Sequence, residues 1–172
     1  MKILDETGHP MMSDKEVEII DDLLEKEKPK LCLEWGSGNS TVYFPNKHDC
    51  IERWDAVEHK IDYLELLGDK LKKGVAKIHI VKDYTKYVDF PISTGIKYDF
   101  IFIDGLMRQS CLETALHHVS NPGTTILLHD PFRYDHSDII KAYQGQFEIL
   151  SQGEKPGRDG FFAHRGLILF KV

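Results

Sequence analysis

The chain of 172 residues has the size of one domain and is too short for two full catalytic domains. It is 41% hydrophobic and 29% charged, which suits a folded globular chain and argues against disorder. Twenty-two basic against 28 acidic residues give a net charge of -6, so no nucleic-acid partner is expected. The longest apolar run, Tyr98–Ile103, is far below the roughly 20 residues of a membrane span, and no membrane partner is expected. The charged start, Met1–Glu6, does not read as a signal peptide. Three cysteines, Cys32, Cys50 and Cys111, are an odd number in no metal-like spacing, which fits a reduced, cytoplasmic chain.

The first element is a helix over Ser13–Glu27. Ser13 precedes Glu16 by three, the spacing of a capping box, and Val17, Ile20, Leu23 and Leu24 recur at helical intervals. Pro29 ends it. Leu31–Trp35 reads as a strand, followed by glycines and a short helix from about Asn39 to Phe44. Trp54–Glu58 is a second strand, and Ile61–Lys73 a helix carrying Ile61, Leu64, Leu67 and Leu71 and closed by Gly74. Val75–Val81 is a third strand, with no helix read between it and the fourth. That fourth, Tyr98–Ile103, is apolar almost throughout, the mark of a strand buried on both faces of a parallel sheet. A helix over Cys111–Val119, a turn at Asn121-Pro122-Gly123 and an apolar strand Thr124–Leu128 follow. After a helix near Ser137–Tyr143, the strands Phe147–Leu150 and Leu167–Val172 have no helical pattern between them and should pair as an antiparallel hairpin. The order βαβαβ–βαβαββ predicts an α/β fold: a doubly wound, mostly parallel seven-stranded sheet with an antiparallel last strand, in three αβα layers. Residues 1–172 then form one domain, with residues 1–30 as an N-terminal helical extension.

In open parallel sheets, ligands sit outside the carboxyl ends of the strands. The first strand ends in Glu34-Trp35-Gly36-Ser37-Gly38-Asn39-Ser40-Thr41, where two glycines permit a tight turn and close approach of a ligand to the backbone. A side chain at Gly36 is expected to fill that site and leave the fold intact. The second strand ends in Glu58, 20 residues beyond Gly38, where a carboxylate can accept both hydroxyls of a ribose. Together these features favour a nucleoside-type cofactor. A dinucleotide fingerprint wants glycine where this chain has Thr41. Glu34 repels a pyrophosphate but suits a cation, and S-adenosylmethionine carries a sulfonium and an ammonium.

With Glu34-x-Gly36-x-Gly38-x-Ser40, Glu58 closing the second strand and Asp83 after the third, the chain resembles the class I S-adenosylmethionine-dependent methyltransferases. Tyr98–Ile103 with Asp104-Gly105, and the late hairpin, are similar to that family's fourth strand and reversed seventh strand. The resemblance spans about Leu31 to Val172, with Ser40 in place of the family's third glycine. It implies that Glu34 and the Gly36-Ser37-Gly38 turn, with Ser40, hold the methionine part, Glu58 the ribose and Asp83 the adenine amino group. Catechol-type members bind magnesium through an aspartate after the fourth strand and an Asp-Asn pair after the fifth. Asp104 and Asp130 resemble that set, but Pro131 stands where the asparagine would be, so a divalent metal stays open, with His129 as a substitute ligand for a softer ion. Sugar-modifying members also share the turn and the Ile-Asp-Gly after the fourth strand.

The acceptor end should gather Asp104–Arg108, His129–Arg133, Tyr134–His136 and the hairpin loop Gly153–Arg165 over the methyl group. Asp104 closes an apolar strand and needs a partner or ligand. His129 or Asp130 can serve as base, and Arg108 and Arg133 are candidates for the substrate. The expected activity is methyl transfer, at oxygen of a small-molecule or glycan-like acceptor. The competing reading is a module that binds the cofactor or a nucleotide without catalysis. An NAD-dependent oxidoreductase is disfavoured by Thr41.

Overall fold

Ser13 caps helix α1 (Asp14–Glu27) from an extended conformation, and its hydroxyl and Glu16 close a reciprocal capping box. The helix ends at Lys28 in the left-handed region. Strand β1 (Leu31–Trp35) leads to helix α2 (Asn39–Lys47), and β2 (Arg53–Glu58) to α3 (Ile61–Leu67), which tightens into a 3-10 turn over Gly68–Lys70. After β3 (Ala76–Ile80) comes a helix that the sequence pattern hides, α4 (Tyr84–Thr94). It holds β-branched and aromatic residues and Pro91, all weak helix signals. Its ends are ordinary: Asp83 caps the start and Gly95 closes it at φ 68°. The remaining elements are β4 (Tyr98–Ile103), α5 (Arg108–Thr114) running into a π-helical turn over Ala115–Val119, β5 (Ser120–His129), α6 (Ser137–Ala142), β6 (Glu148–Gln152) and β7 (Gly166–Lys171). This computed structural model describes residues 8–132, 137–152 and 166–172. Arg133, Tyr134–His136 and the hairpin loop 153–165 therefore lie outside the described residues.

The seven strands form one sheet in the order β3-β2-β1-β4-β5-β7-β6. All neighbours run parallel except β7, which is antiparallel to β5 and β6. This is the doubly wound sheet with the late hairpin that the strand order predicts. Its two faces carry separate apolar layers. Val17, Ile20 and Leu24 of α1 pack with Phe44, Trp54, Phe100 and Phe102 on one face. Tyr87, Cys111, Leu112 and Ile139 of α4, α5 and α6 cover Leu33, Trp35, Ile101 and Ile103 on the other. The sequential order reverses between β1 and β4, and the carboxyl ends there splay into a crevice. No helix among the described residues is long and apolar enough to cross a membrane.

Candidate active site

A cavity of about 240 Å³ opens at that crevice. Glu34, Gly36, Ser37, Gly38, Ser40 and Glu58 line one part of it, and Asp104, Gly105, Leu106 and Arg108 another. Met11, Met12, His59, Lys60 and Tyr63 complete the wall, and none of these five is marked by a sequence motif. Met11 and Met12 precede α1, so only the tertiary fold brings them here. The peptide planes that follow β1 and β4 are locked together. Gly36 has φ 92°, and a Cβ on it would lie 2.8 Å from both Cα and N of Gly105. A Cβ on Gly105 would lie 2.0 Å from the Tyr87 hydroxyl and 2.7 Å from Gly36 N. Gly36 is therefore required by the packing of two backbones, which corrects the expectation that a side chain there would only fill the ligand site. Gly38 is different: it is extended, and a Cβ would meet nothing nearer than Ser40 Oγ at 3.9 Å.

Thr41, the departure from a dinucleotide fingerprint, ties the turn to the strand. Its hydroxyl accepts from Gly38 N at 3.0 Å and donates to Glu34 at 2.7 Å. Ser40 Oγ and Trp54 Nε1 also donate to Glu34, at 2.5 and 2.8 Å. The Glu34 carboxyl is 1% exposed. Burial pushes it up to about 7, against the pull of these three donors. Two consequences follow for pH. In the unliganded protein, stability from this group falls as pH rises from about 4.5 to about 7, because the folded state holds the proton more tightly than the unfolded one. A cationic ligand reverses the preference, since it favours the ionised carboxylate. Affinity for S-adenosylmethionine is then expected to rise by up to about tenfold per pH unit below 7, with proton release, measurable by calorimetry in buffers of different ionisation enthalpy. An affinity that does not change between pH 6 and 8 would show that no cation faces Glu34.

Glu58 accepts from Ser37 N (2.9 Å) and Ser37 Oγ (3.1 Å) at one oxygen. Its other oxygen accepts from the amides of His59 (2.7 Å) and Lys60 (2.9 Å). The carboxylate thus spans the glycine turn and the end of β2. Asp83 stands elsewhere. It is exposed, does not line the cavity, and accepts from Lys86 N at 2.9 Å as the cap of α4. The resemblance placed it on an adenine; its geometry here is that of a helix cap.

At the acceptor end, Asp104, Arg108, His129 and Asp130 converge. His129 Nδ1 meets Asp104 Oδ1 at 2.8 Å, and Arg108 Nη2 donates to the same oxygen at 3.0 Å. Arg108 also binds the carbonyls of Gly105 (2.9 Å), Asp104 (2.7 Å) and His129. It is 7% exposed. Its guanidinium braces the ends of β4 and β5 and also lines the cavity. Met107 and Asp130, at φ 52° and 51°, hold left-handed backbone beside the cluster, a conformation non-glycine residues adopt only when their surroundings impose it. The His129 ring is 2% exposed; burial would lower its pKa, but Asp104, Glu16 and Asp130 raise it to about 10. With carboxylates facing both nitrogens, the ring favours its protonated form, in which it donates to Asp104. Arg133 lies outside the described residues.

These donors do not fit a divalent metal. Asp104 already faces two cations, a guanidinium and an imidazolium, and a metal ion on the same oxygen would add a third positive charge. Among the described residues no group of three or more His, Cys, Asp or Glu side chains is placed to hold a metal ion. The nucleoside cofactor is the better match: the glycine turn leaves room against the backbone, and Glu58 closes the second strand beside it.

No protein-family model matches the chain, and no curated protein matches it. Solved structures do. Human methyltransferase-like protein 13 in complex with SAH is 17% identical over 92% of this chain and 81% of that one, at a TM-score of 0.60. An rRNA methylase from Streptococcus thermophilus is 14% identical over 91% and 96%, at 0.59. The chain has the class I methyltransferase fold. A precorrin 8w decarboxylase from Methanobacterium thermoautotrophicum shares that fold at 12% identity over 99% and 96%, with a TM-score of 0.61. Tyr43 and Lys47 have the Tyr-x-x-x-Lys spacing of hydride-transfer sites, but both bond Asp21 on α1 and neither lines the cavity of this methyltransferase fold.

Proposed function

We propose that the chain is an S-adenosylmethionine-dependent methyltransferase acting at oxygen of a small-molecule or carbohydrate-like acceptor. The observation that carries this reading is the cavity itself, which joins the Gly36–Gly38 turn and Glu58 at one end to Asp104 at the other. S-adenosylmethionine would supply a methyl group on a positively charged sulfur, open to in-line attack by a nucleophile. Ser37, Gly38 and Ser40 would hold its methionine part, Glu58 its ribose, and Glu34 would face its positive charge. Asp104 is the polar group that can receive an acceptor hydroxyl and take its proton. Arg108 and His129 fix the Asp104 carboxylate, so little reorganisation is needed as charge develops. Asp130 flanks the ring on its other side. The net charge of -6 and the carboxylates around the cavity favour a neutral or cationic acceptor over nucleic acid.

Glu58→Ala is expected to weaken S-adenosylhomocysteine binding by about 1–3 kcal/mol, the loss of charge-assisted hydrogen bonds. Equal affinity in the variant and the parent would remove Glu58 from the ribose. Transfer of radiolabelled methyl from S-adenosylmethionine to a panel of phenols, polyols and sugars tests the activity. Cofactor binding with no transfer to any hydroxyl would favour the second reading, the non-catalytic module.

A further inference from the structure

Among the described residues, Nε2 of the buried His129 ring has no hydrogen-bond partner and lies between two carboxylates, 3.8 Å from Glu16 Oε2 and 3.7 Å from Asp130 Oδ1. Glu16 comes from α1, far in sequence from every strand end. A glutamate in a capping box ordinarily sits on a helix surface, yet Glu16 is 1% exposed. Its Oε2 accepts from Ser13 N (2.9 Å) and Ser13 Oγ (2.8 Å), and Ser151 of β6 faces Oε1 at 3.3 Å. A carboxylate so buried needs a cation, and among the described residues His129 is the one that faces it. Burial would raise the Glu16 pKa, but His129 and the Ser13 hydrogen bonds hold it down to about 2.

The ring has its second nitrogen on Asp104, so α1, β5 and β4 are joined through one imidazole. Charged groups face this ring from each side: Glu16 of α1, Asp104 after β4, Asp130 after β5, and Arg108 of α5 at the His129 carbonyl. The ring of Phe102 packs beside it at 6.2 Å. We propose that Glu16 is a positioning residue for Asp104: its carboxylate orients the His129 ring, and the ring holds the Asp104 carboxylate toward the cavity. This rests on the methyl-transfer reading for its meaning in catalysis, but the coupling itself can be measured without an acceptor.

Nitrogen-15 NMR of the His129 ring at pH 7.5 provides the test. In the parent protein both ring nitrogens should be protonated, with a downfield Nδ1–H signal from the bond to Asp104; a neutral ring overturns the proposal without any variant. Glu16→Gln keeps a side chain compatible with the capping box but removes the charge. It should shift the Nε2–H signal, which loses the charge facing it, and shift the downfield Nδ1–H signal as the ring turns against Asp104. Ser13→Ala removes the cap and leaves the Glu16 carboxylate, so it should lower the melting temperature and leave the ring signals in place. Unchanged signals in Glu16→Gln, or equal changes in Ser13→Ala, would make Glu16 a helix cap only. Should Glu16→Gln fail to fold, Glu16→Asp draws the carboxylate back from the ring and must give the same shift; unchanged signals there overturn the proposal. Calorimetry with S-adenosylhomocysteine on the parent protein judges the methyl-transfer reading separately: absent binding defeats that reading, while the ring signals still decide the coupling.

Discussion

Asp104→Asn is expected to slow methyl transfer by about two orders of magnitude, a typical loss for an acid–base or charge-stabilising group. The amide keeps the shape of the carboxylate and can still accept from Arg108 and His129, but it has no charge to set against a guanidinium and an imidazolium. It is also a poor acceptor for a hydroxyl proton. Cofactor affinity should hardly move, because the turn follows β1 and Glu58 ends β2. A second effect follows from the same contacts. Two buried cations lose their shared anion, so the melting temperature should fall, by an amount equivalent to about 2 kcal/mol once the partial exposure of Asp104 is allowed for. Release of S-adenosylhomocysteine with an active acceptor, beside a thermal melt, separates the two effects. Full turnover with only a lowered melting temperature would make Asp104 structural.

Gly36→Val should be more damaging still. A β-branched residue at φ 92° is costly in itself, and its Cβ would press on the Gly105 backbone at 2.8 Å. Overpacking against backbone together with the backbone penalty comes to about 4 kcal/mol, a large share of the 5–15 kcal/mol that typical domains possess. Loss of cooperative unfolding, or a sharply lowered melting temperature, is the expected result. Gly38→Val supplies the comparison, since that position has open space and extended backbone. It should fold normally and lose cofactor affinity as its side chain enters the cavity. A Gly38→Val protein that binds S-adenosylhomocysteine as the parent does would show that the turn is not the ligand site.

The strand order is readable because the central strands β4, β5 and β7 carry short apolar runs, and glycine, proline or a carboxylate punctuates the chain between elements without tertiary information. Helix α4 is not, because Val88, Thr94 and Pro91 mask its period and only its caps, Asp83 and Gly95, mark it. Asp83 follows a strand, as a ligand-binding acid would, and a helix cap has the same address, so the sequence alone does not separate the two. Asp104 stood out as a charge closing an apolar strand. Nothing local reveals that Arg108 turns back onto the carbonyls of Gly105, Asp104 and His129, or that the Tyr87 hydroxyl stands where a side chain at Gly105 would go. Glu16 read only as half of a capping box, because its burial depends on β5 and β6, more than 100 residues away. Pairwise contacts across the sheet carry that information, and one sequence does not contain them in readable form.

Calorimetric titration of the parent protein at pH 8 decides whether the crevice between the ends of β1, β2 and β4 takes S-adenosylmethionine. S-adenosylmethionine and S-adenosylhomocysteine should each bind saturably at one site per chain, and NAD should give no binding heat. Absence of heat with both adenosyl ligands, or saturable binding of NAD in their place, would contradict the assignment of the cavity.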